Sequence, residues 1–146
     1  MILVVEDSDE DFTALERVLK QSLCKTAVHR VRDGDEAIDY LYRQGPYANP
    51  EQAPRPSIIL MDLNLPGTDG RDVIQQIKQD NTLKIIPVVV LTSSSNPKDV
   101  RDCYQNGTNS YMLKPMGLEQ LKCTITDFLR YWLELAIIPD SNINQK

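Results

Sequence analysis

Short runs of consecutive apolar residues, each cut off by a polar residue or a chain breaker, alternate along this chain with longer stretches of helical period. The runs at 2–5, 58–61 and 87–91 are unbroken, which predicts strands buried on both faces, as in a parallel sheet. Two further strands are expected at 26–31, a short β-branched edge segment holding His29, and at 110–113. Between them, apolar residues recur at helical spacing. After the capping residues and acids of Ser8-Asp9-Glu10-Asp11, Phe12, Leu15, Leu19 and Leu23 mark a first helix. Asp33-Gly34-Asp35-Glu36 turns the chain into a second with Ala37, Ile38 and Leu41, and Asp69-Gly70 leads into a third with Val73, Ile74 and Ile77. Val100, Cys103 and Tyr104 mark a fourth helix opened by Pro97, and Leu118, Leu121, Ile125, Phe128 and Trp132 a fifth that begins near Gly117. Fivefold alternation of strand and helix predicts an α/β fold, a doubly wound five-stranded parallel sheet with helices on both faces.

Two segments depart from this rhythm. Residues 44–56 hold Gly45, Pro46, Pro50, Pro54 and Pro56, which predicts a long surface loop without regular structure, either a partner contact or a tolerated insertion. The last helix and tail, about 117–146, stay apolar off the helix's main face through Leu129, Tyr131, Leu133, Leu135 and Ala136 to Ile138. A helix apolar most of the way round at the end of a small domain is expected to press against another chain. Asp140 to Lys146 reads as a polar, frayed tail.

Length and composition narrow the picture further. The 146 residues suit one domain, 1–146, and the net charge of −5 with no Lys/Arg cluster argues against nucleic acid as a partner. No apolar run reaches the roughly 20 residues of a membrane span, and no signal-peptide pattern opens the chain, so a cytoplasmic location is expected. Cys24, Cys103 and Cys123 are too dispersed for a zinc set and read as packing residues, and His29 as a surface residue.

The strand ends carry the chemistry. Parallel strands bring their carboxyl ends to one edge, where open α/β sheets gather ligands. That edge collects Glu6 and Asp7, Asp62, Thr92 and Lys114. Taken alone, Asp62 could be a helix cap, a turn former before Pro66-Gly67, or a metal ligand. Crowded carboxylates either take up protons or gather a cation, and oxygen donors without histidine or cysteine suit Mg²⁺ or a similar hard ion such as Mn²⁺. A carboxylate can attack phosphorus, while a metal ion, an ammonium and a hydroxyl neutralise the transferring phosphoryl group.

Glu6-Asp7 after ILVV, the run DLNLPGTDG from Asp62 to Gly70, Thr92-Ser93 after VVVL, and Tyr111 three residues before Lys114-Pro115 resemble the receiver domain of two-component response regulators over essentially the whole chain. The resemblance implies the flavodoxin-like strand order 2-1-3-4-5 and Asp62 as phosphoacceptor. It implies Mg²⁺ held by Glu6, Asp7, Asp62 and the backbone carbonyl of Asn64, Lys114 paired with the phosphoryl oxygens, and a cis Lys114–Pro115 bond. Thr92 and Tyr111 match the family's switch pair, which implies that the Thr92 hydroxyl swings to the phosphoryl group while Tyr111 turns inward to fill the vacated space. Asn64 and Ser94 match the positions that tune self-dephosphorylation.

The proline-rich insert and the extended last helix are similar to those of single-domain regulators paired with bacterial phytochrome histidine kinases. That implies a sensor histidine kinase, of the phytochrome kind, as partner. It also implies a homodimer through the face of the fourth helix, fifth strand and fifth helix, with Tyr104, Tyr111, Tyr131, Trp132 and Leu135 on it. The expected role is a switch acting through protein contacts rather than a metabolic enzyme. Two other readings stand beside it, a receiver-like scaffold independent of phosphorylation and an aspartate-nucleophile phosphohydrolase. Against the second, the residue two positions after Asp62 is Asn64 where such hydrolases carry an acid/base aspartate. A doubly wound nucleotide or flavin binder lacks support, since acids and no GxGxxG loop follow the first strand.

Overall fold

The computed structural model describes residues 1–22 and 25–139. Strands β1 (Ile2–Val5), β2 (Val28–Val31), β3 (Ile58–Met61), β4 (Val88–Thr92) and β5 (Ser110–Leu113) alternate with helices α1 (Asp9–Gln21), α2 (Gly34–Tyr42), α3 (Gly70–Gln79), α4 (Pro97–Gln105) and α5 (Leu118–Leu129). Every strand pairing is parallel and the order is β2-β1-β3-β4-β5, as expected.

Successive residues of a strand point to opposite faces, so each apolar run feeds two cores. Leu3, Val5, Ile59, Met61, Val88 and Val90 pack with residues of α2, α3 and α4, whereas Ile2, Val4, Ile58, Leu60, Val89 and Leu91 pack with α1 and α5. Helices α1, α2 and α4 start within a few residues of a strand end and α3 after the longer 62–69 connection, each with a side-chain cap. Ser8, Asp33, Asp69 and Asn96 accept hydrogen bonds from the backbone N–H groups of Asp11, Glu36, Arg71 and Lys98. These caps fix where the chain leaves the carboxyl edge of the sheet.

Several expectations are corrected. The edge strand begins at Val28, not Thr26. The proline-rich loop contains a 3₁₀ turn, Gly45–Tyr47, because the fixed φ of Pro46 suits the start of a tight helical turn. The loop is also tied down. Tyr40 Oη donates to Pro54 O at 2.8 Å, Arg43 Nε donates to Ala53 O at 3.2 Å, and the Arg55 guanidinium donates to Leu41 O.

His29 is half-buried, not a surface residue, because this loop folds Tyr47 back over the edge strand. The imidazole stacks on Tyr40 with ring centroids 4.7 Å apart, and Nε2 lies 3.2 Å from Tyr47 Oη. Burial lowers its pKa, with Glu36 opposing. A histidine whose folded pKa is depressed leaves the unfolded chain binding more protons between the two values, so stability must fall as the pH drops through the unfolded value near 6.5. His29→Phe keeps the stack without the proton. Its urea midpoint should lose less than the parent's between pH 7.5 and 5.5, and equal losses would show that His29 is not the group responsible.

The last helix stops sooner than its apolar content suggests. Regular α-helix gives way to a π-helical turn over Arg130–Leu135, closed by a bond from Ala136 N to Tyr131 O at 2.7 Å. The wider turn sets Trp132 and Leu133 against the α1–α5 core, while Tyr131 and Leu135 remain 53% and 66% exposed. Cys103 is buried as expected, but Cys123 is exposed. It lies about 200° around the helix from Leu121, on the face turned away from the core. Leu23, Cys24 and the 140–146 tail lie outside the described residues.

Candidate functional site at the carboxyl edge of the sheet

Backbone bonds continue past the strand ends and align the residues that follow. Glu6 N donates to Val31 O at 3.1 Å, Asp62 N to Val5 O at 3.0 Å, and Lys114 N to Thr92 O at 2.8 Å. Gly70 lets α3 begin hard against this edge. A Cβ there would lie 2.5 Å from Asp62 O and 2.8 Å from Leu63 Cα, so any side chain would displace the strand end that carries Asp62.

The side chains converge on one ammonium. Lys114 Nζ lies 2.7 Å from Asp62 Oδ2 and 2.8 Å from both Glu6 Oε2 and Asp11 Oδ2. Glu6 and Asp62 are only 6% and 8% exposed. Their remaining oxygens accept backbone N–H groups, Glu6 Oε1 from Ser8 at 3.0 Å and Asp62 Oδ1 from Asn64 at 3.3 Å. Burial pushes the Glu6 carboxyl up, with Lys114 opposing. Burial would lower Lys114, yet hydrogen bonds with Asp11, Asp62 and Glu6 outweigh it and hold the ammonium above the ordinary lysine range. Three carboxylates against one ammonium leave a negative excess when all are ionised, which draws a cation to this edge.

The predicted residues divide into four groups. Glu6, Asp62 and Lys114 are in direct contact. Thr92 is fully buried at the end of β4, and its Oγ1 has no hydrogen-bond partner among the described residues. Asp7 is exposed and takes no part in the cluster around Lys114. The Lys114–Pro115 bond is trans, since the described residues contain no cis peptide. This corrects the expected cis form; trans is the form an X–Pro bond favours by roughly 0.5–1 kcal/mol unless its surroundings impose the other. Tyr111 is half-buried, packs against the core on the α2–α4 side, and donates its hydroxyl to Ser94 O at 2.8 Å.

Asp11 joins the site without having been expected there. Its acids read as dipole-favoured residues of a helix start, but α1 follows directly on Glu6-Asp7, so its first turn has to sit over the strand ends. That connection length was the available signal.

No set of three acidic, histidine or cysteine side chains among the described residues stands ready to hold a metal ion, because the acids close on Lys114 instead. The donor chemistry still fits a hard divalent cation. Mg²⁺ keeps most of its waters and needs one or two carboxylates, and Glu6 and Asp62 are buried with an acidic excess around them while Asp7 offers a solvent-facing carboxylate.

A profile of the response regulator receiver domain matches residues 2–126. The response regulator Rcp1 of Synechocystis sp. is 43% identical over 139 residues, which cover 95% of this chain and 92% of that protein. The crystal structure of the Mn²⁺-bound form of Rcp1 superimposes with a TM-score of 0.90, covering 95% of this chain and 98% of that one. The crystal structure of the phosphorylated cyanobacterial phytochrome response regulator RcpA, 43% identical, also gives 0.90, covering 95% of this chain and 97% of that one.

Proposed function

The chain belongs to the response regulator receiver family of two-component signalling, and we propose that it serves as a switch rather than a metabolic enzyme, with the following assignment of its residues. Asp62 is the phosphoacceptor. One of its oxygens attacks the phosphorus of a phosphohistidine, the P–N bond breaks as the P–O bond forms, and the imidazole leaves and takes up a proton. Glu6, Asp7, Asp62 and the backbone carbonyl of Asn64 would hold Mg²⁺, or Mn²⁺ in its place, and the ion would supply positive charge to the transferring phosphoryl group. Lys114 transfers one of its contacts from the carboxylates to a phosphoryl oxygen, and the unpartnered Thr92 hydroxyl gains an acceptor there. Phosphorylation and hydrolysis on Asp62 are the only chemistry assigned to this edge.

One observation carries this assignment: a buried carboxylate on an ammonium 2.7 Å away, at the same sheet edge as a buried hydroxyl without a partner. Beryllofluoride, a phosphoryl mimic, tests it. With Mg²⁺ present a bound ¹⁹F resonance should appear, and it should vanish with EDTA or in Asp62→Asn. A bound signal that persists in Asp62→Asn would defeat the assignment.

The phosphoryl donor is a sensor histidine kinase, of the phytochrome kind by likeness to the regulators matched above. No helix among the described residues is long and apolar enough to cross a membrane. The face of α4, β5 and α5 is the interface of a homodimer. Tyr104, Tyr131 and Leu135 stand exposed on it, with Tyr111 and Trp132 half-buried beside them. Leu135→Glu should shift sedimentation towards the monomer, whereas an unchanged distribution would place any dimer contact elsewhere.

A further inference from the structure

A side-chain chain of contacts leads from α3 through α4 to Tyr111, and the phosphoryl chemistry above does not use it. Arg71, in the first turn of α3, grips Asp99, in the first turn of α4, with both arms: Nε donates to Oδ1 at 3.0 Å and Nη2 lies 3.0 Å from Oδ2. Its third nitrogen, Nη1, donates to Asp69 Oδ1 and Oδ2 at 2.9 Å each. The fork is therefore held from both sides, and a bidentate arginine–carboxylate pair fixes direction as well as distance. Asp99 Oδ2 in turn accepts the Ser94 hydroxyl at 2.6 Å. The backbone carbonyl of Ser94 is the acceptor for Tyr111 Oη at 2.8 Å.

Each step removes freedom from the next. Ser94 lies in the loop between β4 and α4, two residues past Thr92, and its exposed neighbours Ser93 and Ser95 lend that loop no packing. The Asp99 carboxylate holds the Ser94 side chain at 2.6 Å, against a longer 3.4 Å bond that Ser94 Oγ accepts from Asn96 N, and Arg71 on a different crossover helix holds Asp99. Arg71 is 25% and Asp99 18% exposed, so solvent only partly competes. Arg71, and then Ser94, keep the Asp99 carboxyl below the usual carboxylate range, so it stays an ionised acceptor at neutral pH.

We propose that Asp99, clamped by Arg71, is a positioning residue for the switch: through Ser94 it keeps Tyr111 inward, so the loop next to Thr92 is set for the phosphoryl-bound state before phosphorylation. The proposal rests on reading Thr92 and Tyr111 as a switch pair. A ligand that favours one arrangement binds more weakly when that arrangement is less populated. Loosening the clamp should therefore lower affinity for the phosphoryl mimic without touching the groups assigned to the cation.

Three readouts test this with the full chain. Asp99→Ala should weaken beryllofluoride binding about fivefold, the lower end of ordinary coupling between sites, and leave Mg²⁺ affinity unchanged. Tyr111→Phe should act in the same direction, and the double variant should be no weaker than the weaker single variant, because both cut one chain. In protein labelled with 3-fluorotyrosine, the Tyr111 resonance, assigned by its loss in Tyr111→Phe, should shift in Asp99→Ala even without beryllofluoride. Arg71→Gln reads the same step should Asp99→Ala fail to fold, and Arg71→Lys, which offers no fork, should not restore binding. Unchanged binding with an unmoved Tyr111 resonance would overturn the proposal, as would multiplicative losses in the double variant. The resonance also separates the two levels: if the parent binds no beryllofluoride, the phosphoacceptor assignment fails while the clamp is still decided by the Tyr111 shift.

Discussion

Lys114→Met should destabilise the protein by about 3 kcal/mol at neutral pH, the lower end of what breaking a buried ion pair from one side costs. The ammonium is the shared partner of Glu6, Asp62 and Asp11. Without it, three carboxylates face one another, two of them almost out of solvent. The pH dependence has a definite sign. In the variant the folded acids take up protons more readily than the unfolded ones, so more protons are bound in the native state and stability rises as the pH falls. The deficit against the parent, measured by urea unfolding, should therefore be larger at pH 7.5 than at pH 5.5. A deficit below about 1 kcal/mol, the range of exposed pairs, or one that does not vary with pH, would mean that the cluster is solvated and not a buried charge centre.

Thr92→Val should have the opposite effect on stability and a damaging one on signalling. Valine has the same shape, and the hydroxyl it replaces is fully buried with no partner among the described residues. Leaving such a group unsatisfied costs about 1–3 kcal/mol, so the variant should unfold at higher urea by about 1 kcal/mol. The same hydroxyl is the one assigned to the phosphoryl group, and its loss should weaken beryllofluoride binding. A more stable variant that binds the mimic less well would identify Thr92 as a residue kept for switching at the expense of the fold. A destabilised variant would show that Oγ1 finds a partner in solution.

How far the sequence could be read depended on how local each cause was. Strand ends were legible because an apolar run terminated by Glu6, Asp62 or Lys114 leaves few alternatives, and a parallel sheet must bring such ends together. Helix starts were legible for the same reason, since Ser8, Asp33, Asp69 and Pro97 act within one turn. Asp11 was missed because its role follows from where the first turn of α1 lands, not from its type or spacing. His29 was misjudged because its neighbour Tyr47 lies 18 residues away in a loop whose prolines suggested no packing. The π-helical turn at Arg130–Leu135 follows from how Trp132 and Leu133 meet the core, and no periodicity reports that in advance. The Arg71–Asp99 pair joins two helices whose charges look like ordinary first-turn residues, so only coordinates reveal the clamp.

The central claim is that Asp62 accepts a phosphoryl group in a reaction that requires a divalent cation. Intact-mass spectrometry of the purified protein after incubation with acetyl phosphate tests it most directly, with Mg²⁺, with EDTA in its place, and with Asp62→Asn. The expected result is a single phosphoryl adduct in the presence of Mg²⁺ and none in either control. An adduct that survives in Asp62→Asn, or a parent protein that takes up no phosphoryl group with Mg²⁺ present, would contradict it.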